Sequence, residues 1–247
     1  DITRPFVRVR RERMPVGECE MKRRIAARTE CVGTCIACVP ECGVHHFARH
    51  DGETLEALLR RVRACRVCAA DLPLGPRPVL RASESARILI VGQAPGTKVH
   101  ETGIPWNDPS GDRLRDWMSV DRDTFYDASR IAIIPAGLCY PGRYDRGGDL
   151  PPRKECAERW LEPLLGHLPN VALTLLCGRH AQALHLGARA RDSLTETVGA
   201  WREYQPRYLP LPHPSFRNLL WMKKNPWFEN EVLPVLRKRV RALLRER

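Results

Sequence analysis

A short apolar run leads directly into a tight turn at Arg87-Ile-Leu-Ile-Val-Gly-Gln-Ala-Pro-Gly96. A continuous apolar run of this length is typical of a strand that is buried on both faces, as in a parallel sheet. The glycines that follow the strand allow a ligand to approach the backbone closely. The segment therefore predicts a buried strand over 87–91 and a ligand-binding turn at its carboxyl end.

Strand-like and helix-like segments alternate along the chain from residue 51. Apolar patterning predicts strands at 131–134, 171–177 and 208–211, and helices at 52–66, 110–118, 152–168, from about 180, and at 226–247. This alternation favours a three-layer α/β/α sandwich with a central, mostly parallel four-stranded sheet. Such sheets bind ligands beyond the carboxyl ends of their strands, where residues 92–111 and 212–218 form loops.

Charge and composition limit the partners that this chain can have. Its 247 residues carry 41 Lys and Arg against 29 Asp and Glu, a formal net charge of +12. That excess favours a polyanionic partner, most simply nucleic acid. We expect no membrane span, because no window of 18 consecutive residues is apolar, and the start of the chain shows no secretory signal.

Residues 1–50 differ in character from the rest of the chain, since they lack sustained periodicity and hold five of the ten cysteines. The first residue is Asp1 rather than Met, which indicates a fragment, a processed product or a translation extended upstream. We expect a disordered or over-extended segment here. The alternative is a zinc knuckle formed by Cys31, Cys35, Cys38, Cys42, His45 and His46.

Four cysteines beyond residue 50 suggest a metal or cluster site. Cys65 and Cys68 form a C-x2-C pair at the end of the first helix, Cys139 follows the second strand, and Cys156 lies in the next helix. Four thiolates in two groups can ligate a zinc ion or an iron–sulfur cluster, and the spacing does not choose between them. The alternative is that Cys139 and Cys156 are small core residues. Cys177 lies within a strand, which favours a place in the core.

The loop after the first strand contains Ile104-Pro-Trp-Asn-Asp-Pro-Ser-Gly111. Trp106 offers a flat face on which a base can stack. Asp108 is the only carboxylate of this stretch and is a candidate catalytic group. Asp108 followed by Pro109 is also the usual N-cap and N1 pair of a helix, which favours capping. Capping and catalysis do not exclude each other.

The loop after the fourth strand reads Leu211-Pro-His-Pro-Ser-Phe-Arg-Asn218. His213 lies between two prolines, which restrict its backbone. Ser215 is a candidate cap for the next helix, and Phe216 and Arg217 would protrude at its first turn. An apolar wedge beside a basic residue suits a protein that unstacks a duplex. The alternative is a plain proline-rich start to a helix, with an ordinary hydrogen-bonded histidine.

Together these motifs resemble the uracil-DNA glycosylase superfamily, in its iron–sulfur (family 4/5-like) bacterial and archaeal branch. The likeness covers about residues 52–245, with Gly92-Gln-Ala-Pro-Gly96 similar to the first motif and His213-Pro-Ser215 similar to the second. Cys65, Cys68, Cys139 and Cys156 match the order and spacing of that branch's cluster ligands.

The resemblance implies a catalytic domain over 51–247 that hydrolyses the N-glycosidic bond of deoxyuridine in DNA and leaves an abasic site. The protein would act as a monomer, in the cytoplasm and associated with the nucleoid. Its DNA partner would contain uracil or abasic sites. The four cysteines would hold a structural 4Fe-4S cluster, with zinc as the alternative.

The resemblance also implies a role for each candidate residue. The target base leaves the stack, and bond cleavage produces an oxocarbenium-like sugar and a uracil anion. Asp108 would stabilise the cation or orient water, and His213 would donate a hydrogen bond to the anion. Substrate binding would fall to Gln93, Ala94, Gly96, Trp106, Asn107 and His100. DNA contacts would fall to Ser215, Phe216, Arg217 and Asn218.

Three positions depart from the family pattern. The prototype enzymes have Asp where this chain has Ala94, and many iron–sulfur members have Glu in place of Gln93 and a uracil-reading Asn in place of Pro135. Uracil recognition must therefore rest on other groups, such as Asn107 or backbone amides. A catalytically weak binder of uracil-containing or abasic DNA is the alternative function. A third class is an iron–sulfur or zinc protein with no role on nucleic acid.

Overall fold

A parallel sheet forms the centre of the structure, a computed structural model that describes residues 52–245. Its strands are β1 (Ile88–Val91), β2 (Ile131–Ile133), β3 (Leu173–Cys177) and β4 (Tyr208–Leu211). The strand order is β2-β1-β3-β4, and every neighbouring pair runs parallel. Every strand residue is buried, which is why the strands read as continuous apolar runs.

Helices connect the strands and cover both faces of the sheet. The longer helices are α1 (Leu55–Arg63), α3 (Pro109–Met118), α5 (Lys154–Gly166), α6 (Arg179–Leu186) and α9 (Leu233–Arg245). The short helices are α2 (Thr97–Thr102), α4 (Arg122–Tyr126), α7 (Leu194–Gly199) and α8 (Leu219–Lys224). Single 3-10 turns form at Ala69–Asp71, Gly187–Arg189, Trp201–Tyr204 and Phe216–Asn218.

Successive strand residues point to opposite faces and so build two separate cores. On one face, Ile88 and Ile90 pack in a cluster with apolar residues of α3 and α9. On the other face, Leu89 and Val91 pack with apolar residues of α1, α5 and α6. The predicted three-layer α/β/α sandwich is confirmed, and its four strands are all parallel.

The predicted elements agree with the observed ones to within a few residues, apart from the short helices. Helices α2, α4, α7 and α8 were missed because none exceeds six residues, which is too short to show a helical period. The predicted C-terminal helix begins as a π-helix over Phe228–Val232 and continues as α9. Pro234 lacks the N–H that an α-helical turn would use there, which favours the wider turn before it.

Some predictions concern residues outside the described range. The disordered or over-extended segment over 1–50, the zinc knuckle within it and the domain boundary at residue 51 all stay predictions. Within residues 52–245, no helix has both the length and the apolar character that a membrane crossing requires.

We predict that the two phenylalanines at opposite extremes of burial differ sharply in their contribution to stability. Phe228 is 0% exposed and packs edge-on against Trp117 at a ring distance of 5.0 Å, whereas Phe216 is 72% exposed. Phe228→Ala should lower the free energy of unfolding by about 3–5 kcal/mol. Phe216→Ala should change it by less than about 0.5 kcal/mol. Urea denaturation measures both values, and equal losses would contradict this core.

Candidate active site

A cavity of about 760 Å³ opens at the carboxyl ends of the strands. Its walls come from the loops that follow β1, β2 and β4, as expected for a ligand site of a parallel sheet. The predicted site residues that line it are Gln93, Ala94, Gly96, Trp106, Asp108, His213, Ser215, Phe216, Arg217 and Asn218. Two distant parts of the sequence therefore form one site.

Trp106 fits into the cavity wall because two glycines leave room for it. A Cβ atom on Gly92 would lie 2.8 Å from Cζ2 of the indole, and one on Gly111 would lie 1.7 Å from the Trp106 carbonyl oxygen. Trp106 itself has a φ of 56°, in the left-handed region that bulky residues seldom adopt. The backbone strain at this residue and the two close approaches place the indole at a specific position in the site.

His213 lies between the indole of Trp106 and the end of β3. The two rings stack with centroids 5.4 Å apart and planes inclined by 28°. A Cβ atom on Gly178, the residue after β3, would lie 3.2 Å from the Cβ of His213. The Asn218 amide donates to the His213 carbonyl at 2.7 Å, and Arg113 donates to the next carbonyl, also at 2.7 Å. The ring and its backbone are therefore both held.

Burial lowers the pKa of His213 below its ordinary value, and the nearby carboxylates of Asp108 and Asp149 oppose that shift. The net lowering keeps the imidazole neutral at neutral pH. A neutral imidazole still donates one hydrogen bond from its protonated nitrogen. His213 can therefore stabilise an anion that forms in the cavity.

Asp108 caps α3 and also lines the cavity. Its Oδ1 accepts a hydrogen bond from the Gly111 backbone N–H at 2.9 Å, and Pro109 occupies the first helical turn. The structure thus shows the capping role that the Asp-Pro pair predicts. Catalysis by Asp108 stays a prediction, since the cap engages only one of its carboxylate oxygens.

Two predicted substrate-binding residues, Asn107 and His100, are not among the residues that line the cavity. The Asn107 side-chain oxygen accepts a hydrogen bond from Arg122 at 3.0 Å. His100 lies in the last turn of α2, with its ring centroid 6.2 Å from that of Tyr140. The reading of uracil by Asn107 and the binding of substrate by His100 stay predictions.

A third loop, Gly142–Leu150, also lines the cavity, and no motif in the sequence predicted its place there. Its lining residues are Arg143, Tyr144, Gly147, Gly148 and Asp149. The Gln93 side-chain amide donates to the Leu150 carbonyl at 3.1 Å and so joins the first motif to this loop. The loop follows β2 at the same edge of the sheet, so the rule applied to the other two loops would have found it.

An exposed apolar and basic surface borders the cavity where the chain enters α8. Phe216, Leu219 and Leu220 are 72%, 43% and 63% exposed. Arg217 lies beside Phe216, with its guanidinium carbon 5.9 Å from the ring centroid. Apolar side chains of this kind, beside a cation, can contact unstacked bases and the phosphate backbone together.

Four thiols line a second, smaller cavity between α1, α5 and the segment after β2. They belong to Cys65, Cys68, Cys139 and Cys156, which are all free and half-buried. The Trp160 indole N–H donates to the Cys65 Sγ and the Leu138 backbone N–H donates to the Cys156 Sγ, both at 3.4 Å. Donors aimed at sulfur stabilise thiolates, the form in which cysteines bind a metal or a cluster.

Two of the four thiols in this cavity are harder to ionise than an exposed cysteine. Burial and the neighbouring thiols raise the pKa of both Cys139 and Cys156 to about 11. No three His, Cys, Asp or Glu side chains within residues 52–245 are grouped so as to hold a metal ion. Cys65 and Cys156 also pack against the core beneath α1 and α5. Cys177 lies in the core, fully buried in β3, as predicted.

Comparison with known proteins adds to this geometry. The family model described as the uracil DNA glycosylase superfamily matches residues 81–237, from before β1 into α9. Among solved structures, one similar chain is the solution NMR structure of a "putative Uracil DNA glycosylase" from Methanosarcina acetivorans. It is 18% identical, with a TM-score of 0.37, and the match covers 65% of this chain and 97% of that chain.

We predict that Gly111 is required to keep Trp106 in place. Gly111→Ala would put a methyl carbon 1.7 Å from the Trp106 carbonyl oxygen, whereas a Cβ on Gly199 meets nothing within 4 Å. Gly111→Ala should lower the free energy of unfolding by at least about 1–3 kcal/mol. Gly199→Ala, also within a helix, should be neutral or stabilise the protein by up to about 1 kcal/mol. Urea denaturation measures both free energies of unfolding. An unchanged value for Gly111→Ala would contradict the close approach of Gly111 to the Trp106 carbonyl.

Proposed function

The chain belongs to the uracil DNA glycosylase superfamily, and from that membership we propose that it hydrolyses the N-glycosidic bond of deoxyuridine in DNA, leaving an abasic site. The observation that carries the proposal is the stacked pair of Trp106 and His213 in the wall of a cavity that the first motif also lines. Its volume of about 760 Å³ is within the range of small-molecule sites and leaves room for a flipped nucleotide.

His213 is the group that we assign to the departing base. Cleavage leaves negative charge on the uracil ring, and a preorganised hydrogen-bond donor stabilises that charge in the transition state. The neutral imidazole is such a donor, and its ring is held by Trp106 on one face. Trp106 is then a positioning residue for His213, in addition to any contact with the base.

DNA binding is assigned to the exposed surface beside the cavity. Phe216 would enter the stack that the flipped nucleotide has left, and Arg217 would contact phosphate. Ser215 and Asn218 lie in the same turn and would complete this contact. The net charge of +12 supports association with a polyanion. Binding by such contacts weakens steeply as salt increases, because bound cations are released from DNA.

A second candidate function is supported by the first motif. Gln93 and Ala94 give it no carboxylate, and the lining position Pro135 has no side-chain amide to read uracil. A protein with weak catalysis on this fold would bind uracil-containing or abasic DNA without releasing the base quickly. Turnover separates this function from the first, because both bind DNA.

We predict uracil-dependent cleavage by this protein, with His213 required. A uracil-containing duplex should yield alkali-sensitive sites, and the thymine control should yield none, at each of two salt concentrations. His213→Ala should slow single-turnover excision by about 100-fold or more. His180→Ala, at an exposed histidine outside the cavity lining, should leave the rate unchanged. Tight, salt-sensitive binding of abasic DNA with no excision would favour the second function.

We also propose that Cys65, Cys68, Cys139 and Cys156 hold a 4Fe-4S cluster, with zinc as the alternative ligand. The supporting observations are four thiols around one cavity and N–H groups directed at two of the sulfurs. The cluster would supply structural cross-linking and no redox step of the reaction. It would join α1 to α5 and to the segment that follows β2.

We predict that the purified protein is yellow-brown, with absorbance at about 400 nm from the cluster. Cys156→Ser should remove most of that absorbance. Cys177→Ala is the matched control, because Cys177 is buried in β3 away from the thiol cavity, and it should keep the colour. A colourless protein that contains one zinc ion would overturn the cluster assignment.

We propose that the protein acts as a monomer. A glycosylase of this kind would act where DNA is held, so we place it in the cytoplasm and at the nucleoid.

A further inference from the structure

We propose that Asp149 is a carboxylate of the active site, and that it, rather than Asp108, activates the attacking water. The inference rests on the proposed glycosylase function and identifies a residue that the sequence motifs do not select. Asp149 lines the cavity that contains Trp106 and His213. The assignment is supported by the architecture of its loop, by the contacts that hold the loop and by the charges around the cavity.

The Gly142–Leu150 loop is a closed hairpin with Asp149 at its base. The Leu150 N–H donates to the Gly142 carbonyl, and the Tyr144 N–H donates to the Gly148 carbonyl, both at 2.9 Å. Arg143 and Asp149 form an antiparallel bridge between the two arms. The backbone around Asp149 is therefore defined by hydrogen bonds, although the tip of the loop is exposed.

Two neighbouring elements hold this hairpin against the cavity. The Gln93 amide donates to the Leu150 carbonyl at 3.1 Å, directly after Asp149. On the other side, a Cβ on Gly148 would lie 3.0 Å from Nη1 of Arg217, so the hairpin also packs against the DNA-facing turn. Asp149 therefore lies between the first motif and the surface that we assign to DNA.

The existing partners of the two carboxylates favour Asp149 over Asp108 as the active group. The negative charges of Asp108 and, to a smaller extent, Asp149 both oppose the lowering of the His213 pKa. Asp108 has one oxygen committed to the cap of α3. Asp149 has only a loose ion pair with Arg143, at 3.8 Å with both side chains at least half exposed, and such pairs contribute little. The carboxylate oxygens of Asp149 are therefore more available to a water molecule than those of Asp108.

Hydrolysis of the glycosidic bond with Asp149 as the base needs no reactant besides water. The bond between the sugar C1′ and the base N1 breaks, and its electron pair leaves with the uracil, which accepts a hydrogen bond from His213. A water oxygen bonds to C1′ while Asp149 takes one of its protons, as a general base. The uracil anion then gains a proton from solvent, and Asp149 returns its proton to solvent.

The experiment compares three substitutions that each remove one negative charge from an aspartate. Asp149→Asn should lower the single-turnover rate of uracil excision by about 100-fold or more while duplex binding is kept. Asp145→Asn is the matched control, since Asp145 lies on the same loop but not in the cavity lining, and its rate should not change. Asp108→Asn should lower the excision rate by a smaller factor than Asp149→Asn, because Asn also caps helices well and keeps α3 in place.

A second measurement tests Asp149 without relying on uracil. The wild type should bind a duplex with a cationic pyrrolidine abasic analogue more tightly than one with a neutral tetrahydrofuran analogue, because a carboxylate faces the sugar. Asp149→Asn should reduce that preference by about tenfold, and Asp145→Asn should keep it.

The outcomes separate this inference from the proposed function. If the wild type excises uracil and Asp149→Asn excises it at the same rate, the role of Asp149 is overturned and the proposed function stands. A wild type that does not excise uracil, yet shows an Asp149-dependent preference for the cation, would overturn the function and keep the carboxylate. A larger loss in Asp108→Asn than in Asp149→Asn, or no preference for the cation in the wild type, would overturn the inference.

Discussion

The stacking of Trp106 on His213 is the contact that makes one site out of two loops far apart in sequence. It depends on the parallel sheet, which brings the carboxyl ends of β1 and β4 to the same edge. It also depends on the absence of side chains at Gly92 and Gly111, where any Cβ would collide with Trp106. Gly92 of the first motif therefore serves this packing as well as the approach of a ligand.

The sheet and much of the cavity could be predicted because their signals are local. Continuous apolar runs mark strands buried on both faces, and Asp108-Pro109 marks a helix start by its own chemistry. The Asn107 amide could not be placed from sequence, because its partner Arg122 lies fifteen residues away in a helix too short to show a period. The Gly142–Leu150 loop has no apolar pattern, since most of it is exposed.

The thiol cavity and the active site share one connecting segment. Cys139 lies in the chain that leaves β2, and the same chain continues into the Gly142–Leu150 loop. The segment is held at one end by residues around the thiols and at the other by the Gln93 amide. A group bound by the four cysteines would therefore restrain the loop that carries Asp149.

Gln93 and Ala94, the two residues of the first motif that depart from the family pattern, both leave that motif without a negative charge. The amide of Gln93 donates a hydrogen bond to the Leu150 carbonyl, which an ionised carboxylate at that position could not do. A glutamate there would also add negative charge beside Asp149, and like charges at one site disfavour ionisation of both. The neutral Gln93 side chain holds the Gly142–Leu150 loop through this hydrogen bond, and the small Ala94 side chain lines the cavity without adding charge. The negative charge then comes from Asp149, on the loop that this hydrogen bond holds.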